Sequence, residues 1–290
     1  MKAIKTGPPV AWIRASAMLY PKERRPYEDP LAEQMLSPIY KGMLFLMRSP
    51  ALRDLILGVR NKKRSGLIGM HLCRYNYIDQ VLQEALARHK IKAVVNLGAG
   101  MDCRAFFIPG LETLPYFEVD HPSLIKMKKK KIQKIFGNIP ANVSYVPVDL
   151  EKDDLQFCLT EAGYRFSERT FFIWEGVSAY LSERANEIIL TTMAKAPAGS
   201  RVVFSYMIQS FLDGKDLTEE LQKVYRYNLK QNLYIFGLDP ANIKEYLSRF
   251  SLRLTEDIGS KEMRERYPRV TQLGFEVAEL ERIALAEVRG

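Results

Sequence analysis

Apolar positions along the chain follow two alternating periods. In residues 73–89 (CRYNYIDQVLQEALARH), Ile78, Val81, Leu82, Ala85 and Leu86 recur at helical spacing, which predicts an amphipathic helix. The unbroken run AVVNL (93–97) then suits a parallel strand buried on both faces. LETLPYFEVD (111–120) closes in a second strand; Pro122 fits a helix start and Gly137 its end. VSYVPVDL (143–150) predicts a third strand, and residues 153–162 a short helix capped by Asp153 and stopped by Gly163. TFFIWEG (170–176), a helix over 182–195 and RVVFSYM (201–207) continue the alternation. The chain closes with a helix near 241–250, a strand near 252–257 and a last strand ERIALAEV (281–288).

Strands alternating with helices predict an α/β fold built on a doubly wound, mostly parallel sheet. The 290 residues read as a single domain over 1–290. Two regions stand outside the alternation: a Pro-rich helical cap over 1–72, and a helical, aromatic-rich insertion over 208–238 placed to act as a lid. In such sheets ligands gather beyond the carboxyl ends of the strands. The residues ending the strands, Gly98 and Gly100, Asp120, Asp149, Glu175 and Tyr206, therefore carry the functional information.

Composition narrows the function classes. With 47% apolar and 27% charged residues the chain reads as a globular protein. No apolar run approaches the ~20 residues of a membrane span, and the N-terminal stretch lacks the apolar core of a signal peptide. Three scattered cysteines suit a reducing cytoplasm, and the three histidines form no metal-binding pattern, so no metal is expected. The net charge of +9 favours anionic partners. Part of it sits in one run, Lys126 and Lys128–Lys131, which reads as a solvated helix face. No aromatic stacking residues interleave with it, which argues against nucleic acid.

The stretch VVNLGAGMDCR (94–104) ends its strand in two glycines, which let the backbone turn tightly and approach a ligand. Cys103 stands where a diphosphate-binding GxGxxG turn has its third glycine. Asp120, 22 positions after Gly98, either accepts hydrogen bonds from ribose hydroxyls or caps the helix at Pro122. Asp149 is placed either to accept from an adenine amino group, while Leu150 covers the ring, or to serve a turn or cap at the strand end. The ordered set points to an adenosine without a diphosphate, which fits S-adenosylmethionine with S-adenosylhomocysteine as product.

YEDPLA (27–32), RYNYID (74–79), VVNLGAGMDCR (94–104), YFEVD (116–120), VPVDL (146–150) and FIWEGVSAYL (172–181) occur in order. On these stretches the sequence resembles the leucine carboxyl methyltransferase family, including its bacterial and archaeal small-molecule O-methyltransferases. The resemblance implies a class I, Rossmann-like methyltransferase fold with a seven-stranded sheet and a helical lid. It also implies that Arg74 pairs with the carboxylate of the cofactor's methionine part, which suits a bidentate guanidinium. Gly98 and Gly100 form the cofactor turn, Asp120 holds the ribose, Asp149 and Leu150 the adenine, and Glu175 lies beside the cofactor. Asp102 and Arg104 take a supporting role. Relatives use a lysine ahead of the DP motif; here Lys22, Arg24 and Arg25 are the substitutes to choose from.

The expected acceptor is a small molecule, anionic or aromatic, methylated on a carboxylate or hydroxyl. Tyr180 either orients it or packs in the core. His121 opens a helix away from the expected acceptor pocket, so no histidine base is evident, which favours a carboxylate, which needs none, or an acidic hydroxyl. Competing readings are a protein C-terminal carboxylate as acceptor, a basic nucleic-acid-binding protein without catalysis, an NAD-dependent oxidoreductase, and a degenerate methyltransferase. The incomplete glycine fingerprint argues against NAD.

Overall fold

Among the described residues four α-helices precede the sheet: α1 (Gly7–Ala17), α2 (Pro38–Leu46), α3 (Pro50–Arg64) and α4 (Leu67–Arg88). The alternating core then runs β1 (Ala93–Leu97), β2 (Tyr116–Asp120), α5 (Pro122–Phe136), β3 (Val143–Pro147), α6 (Leu155–Glu161), β4 (Thr170–Trp174), α7 (Glu183–Met193) and β5 (Arg201–Ile208). After it come α8 (Gln209–Leu212), α9 (Glu219–Gln231), β6 (Gly237–Leu238), α10 (Ile243–Ser248), β7 (Leu252–Ile258), α11 (Ser260–Arg266), α12 (Pro268–Thr271) and β8 (Glu281–Val288). The structure is a computed structural model and describes residues 7–64, 66–215 and 217–290.

The long strands form one sheet in the order β3-β2-β1-β4-β5-β8-β7, with the short β6 paired to the end of β5. β1 to β5 pair in parallel, and only β8 runs antiparallel, between β5 and β7. This is the expected seven-stranded, doubly wound arrangement. β1 pairs with β2 on one side and β4 on the other, so the strand order reverses at β1. A crevice opens at such a reversal, beyond the carboxyl ends of the strands.

Alternation in the strands divides the core in two. Val94, Phe171 and Val203 pack with Ile78 and Leu82 of α4. Their neighbours Val95, Phe172 and Val202 share one rung of the sheet and pack with Leu159 of α6 and Ile189 and Leu190 of α7. Burial on both faces is why these strands read as unbroken apolar runs.

Two local expectations are corrected. α6 is capped by Asp154, whose carboxylate accepts from Phe157 N at 3.0 Å; Asp153 instead accepts from Asp149 N at 2.8 Å. The lysine run is not wholly a solvated face. Lys126 and Lys130 are exposed, but Lys128 is buried and pairs with Glu118 of β2 at 2.7 Å. Helical periodicity turns every third or fourth position of α5 toward the sheet, and position 128 is one of these.

Candidate active site

β1 runs directly into its glycine turn. Gly98 has φ +70°, and its N–H donates to Val119 O of β2 at 2.8 Å. A Cβ there would stand 2.1 Å from Val177 Cγ2, so no side chain fits between the turns that follow β1 and β4. Asp120 closes the turn from the other side. Its Oδ2 accepts from Gly100 N and its Oδ1 from His121 N, both at 2.6 Å. Burial raises its pKa, and these N–H bonds only partly offset the rise. The α5 cap is His121, whose ring accepts from Ser123 N at 3.4 Å.

These turns border a cavity of about 990 Å³ at the strand reversal. Ligand sites span roughly 300–1,000 Å³, so this one has room for a nucleoside-sized ligand beside a second molecule. Arg74, Gly98, Gly100, Asp120, Leu150, Glu175 and Tyr180 all line it. Asp149 is not among the lining residues. Its carboxylate closes a turn between the lining residues Val148 and Leu150, accepting from Glu151 N at 3.2 Å and pairing with Lys152 at 3.1 Å.

An ionic network forms the cavity's floor. Arg74 Nε meets Glu175 Oε1 at 2.9 Å, and its Nη1 meets Glu281 Oε2 at 2.5 Å. Arg104 Nη1 meets Glu175 Oε2 at 2.7 Å and Asp102 Oδ2 at 2.5 Å, while its Nε pairs with Asp79. Asp102 and Arg104 thus pair with each other, as their spacing allows. Burial opposes ionisation of Glu175, but Arg104 and Arg74 outweigh it and hold the carboxyl below its usual range. The third edge of Arg74 faces Gly176: Nη2 lies 3.3 Å from where a Cβ on that glycine would stand. Gly176 has φ +64° and lines the cavity, so the edge is left uncovered by side-chain carbon.

Three contributors escaped the sequence reading. Arg14 of α1 lines the cavity, pairs with Asp29 at 2.9 Å and donates to Met101 O of the glycine turn; Lys22, Arg24 and Arg25 do not line it. The signal was a lone arginine in the apolar stretch AWIRASAM. Glu281 begins an ordinary apolar strand and gave none. His71, one turn before Arg74 on α4, also lines the cavity, and His121 lines it as the neighbour of Asp120.

The lid segment covers the remaining wall. Tyr180 and Tyr234 pack with their rings tilted by 56° and centroids 5.2 Å apart. Tyr234 is tied to α9 through Asn228, whose Oδ1 accepts from Tyr234 N at 2.7 Å and whose Nδ2 donates to Tyr234 O at 3.4 Å. Ile235 N donates to Ala179 O at 2.7 Å, which fastens the segment over the turn after β4. Tyr227 and Tyr234 line the cavity, whereas Phe211 and Tyr225 pack edge-to-face on each other.

Residues 9–194 match the family model for leucine carboxyl methyltransferase, well over half of the chain. The chain belongs to the leucine carboxyl methyltransferase family. Among relatives of known sequence, YktD of Bacillus subtilis, named provisionally as an S-adenosyl-L-methionine-dependent methyltransferase, is 32% identical over 157 residues, covering 53% of this chain and 51% of that protein. A Mycobacterium sp. (strain JLS) protein of the same provisional name is 26% identical over 224 residues, covering 74% of this chain and 70% of its own. The chain thus spans about half the length of the first of these family relatives. A Thermobifida fusca crystal structure, provisionally called a methyltransferase, superposes with a TM-score of 0.58 at 12% identity over 96% of this chain and 94% of its own. A duf574 family protein from Streptomyces avermitilis gives 0.56 at 12% identity over 95% and 96%. These two establish the fold, while the family and the names of its members agree with the cofactor and reaction class expected from the motifs.

Proposed function

We propose that the protein is an S-adenosylmethionine-dependent O-methyltransferase that acts on a carboxylate or hydroxyl of a small-molecule acceptor. The observation that carries this reading is the convergence of the bare glycine turn, Asp120, Leu150 and the open edge of Arg74 on one cavity. The residues fit an adenosyl amino acid. Gly100 has no side chain in the space its own Cβ would fill, which leaves backbone open where the ligand chain would pass, Gly98 admits the close approach of Val177, and Gly176 places no side chain over Arg74 Nη2. Each oxygen of Asp120 already accepts one N–H and keeps a second acceptor site for a ribose hydroxyl. Leu150 covers the adenine ring.

When bound, S-adenosylmethionine supplies a methyl group already activated for in-line displacement. The chain's task is then orientation. Arg74 and Asp120 hold the two ends of the ligand, and Glu175 keeps Arg74 and Arg104 in register. Tyr180 and Tyr234 orient the acceptor beneath the lid. A carboxylate acceptor is ionised at neutral pH and needs no base. The aromatic wall and the basic balance of the chain suit an acceptor that is both apolar and anionic.

Isothermal titration with S-adenosylmethionine, S-adenosylhomocysteine and NAD tests the reading. Micromolar binding of the first two and none of NAD is expected, with loss of binding in Asp120→Ala. Absence of binding to both adenosyl compounds by folded protein overturns it.

A further inference from the structure

From the two carboxylates that flank Arg74 we infer that Glu281 is a positioning residue: it aims the open edge of Arg74 at the carboxylate of an adenosyl amino acid ligand. The inference rests on the functional reading above. It concerns a residue on β8, beyond the 9–194 stretch that matches the family.

A guanidinium presents three edges, and a single ion pair leaves it free to pivot about its own stem. Here Glu175 takes Nε at 2.9 Å and Glu281 takes Nη1 at 2.5 Å. The two carboxylates come from β4's turn and from β8, on opposite sides of β5 in the sheet. Arg74 is thus gripped from two directions, with Nη2 left beside the bare Cα of Gly176. Glu281 is itself buried, at 6% exposure, and pairs with Met207 of β5 at the start of a strand that is held on both sides from Ile283 onward, so it is a stiff support. Its position also places it in the field felt by Tyr234, alongside Arg74. A carboxylate that only neutralised Arg74 would weaken its grip on an anion. One that holds the guanidinium on a single vector strengthens it, because less freedom is lost on binding.

The test separates the two ends of the ligand. S-adenosylhomocysteine carries the amino acid carboxylate; 5′-methylthioadenosine keeps the nucleoside and thioether and lacks it. In titrations of Glu281→Ala, affinity for S-adenosylhomocysteine is expected to fall about tenfold or more, while that for 5′-methylthioadenosine stays within twofold. Glu281→Gln, which retains an acceptor oxygen, is expected to recover part of the loss. An equal loss for both ligands, no loss for either, or tighter binding of S-adenosylhomocysteine would each overturn the assignment. Failure of the wild type to bind either compound would instead sink the cofactor reading on which it rests.

Discussion

Lys128 and Glu118 form a salt bridge at 1% exposure each, directly beneath the glycine turn, where Lys128 Nζ also reaches Ala99 O at 3.5 Å. Removing one member of a buried pair strands the other. Lys128→Ala is therefore expected to destabilise the protein by about 3–5 kcal/mol in denaturant titrations. Lys128→Met with Glu118→Leu together should cost far less, since an apolar pair leaves no charge unsolvated. A small effect of the single change would mean that Glu118, whose carboxyl burial already pushes up to about 7, takes up a proton and is no longer a stranded charge. Residues of this kind mark the limit of reading by sequence. That Gly98, Asp120, Leu150 and Arg74 meet at one cavity was legible because the strand ends and the helix before β1 bring their stretches together. Lys128 was hidden among four other lysines of one run, and Glu281 lies 207 positions from the arginine it supports. Asp149 stays open for the opposite reason: a carboxylate at a strand end serves a turn as readily as a ligand.

Among the elements, strands and long helices were legible because burial on both faces of the sheet writes an unmistakable apolar run. The predicted last strand, 281–288, coincides with β8. The two-residue β6 and the short α11 and α12 carry no periodicity of their own; the elements they lean on decide their conformation. The lid has its own stability. α9 packs on the core through Leu221, and Asn228, buried and bonded to both main-chain groups of Tyr234, ties it to the segment that follows. Asn228→Ala should loosen this segment alone, since covering segments open locally without the sheet. Limited proteolysis is expected to cut within 213–235 at least several-fold faster, with affinity for S-adenosylhomocysteine changed less than threefold. Unchanged cleavage would assign the closure to the Ile235–Ala179 bond instead.

For the whole molecule, the ionic floor sets how stability responds to acid. Burial raises the carboxyls of Asp102 and Glu175, but the arginines around them, with Lys128 beside Asp102, more than reverse this and leave both below their ordinary values of 3.8 and 4.5. A folded-state pKa below the unfolded one gives stability that is present above the unfolded value and lost as pH falls through it. Asp79, pushed up by burial to about 6 despite Arg104, acts in the opposite sense and costs stability as pH rises from about 4 toward 6. Asp102→Asn should therefore lower the melting temperature at pH 7, and the gap from wild type should narrow below about pH 4. A gap that stays constant to pH 3 would show that Asp102 acts through shape and not charge.

β8 follows β5 and β7 in the chain yet enters the sheet between them, and its first residue supports the arginine in the cavity. The turns after β1, β2 and β3, proposed above to hold the nucleoside, lie on the other side of the sheet. On that reading a chain with β8 unpaired would keep its grip on the nucleoside. It would gain full discrimination for the amino acid tail only when β8 is threaded home between β5 and β7. Ligand affinity thereby becomes a readout of whether the sheet has closed.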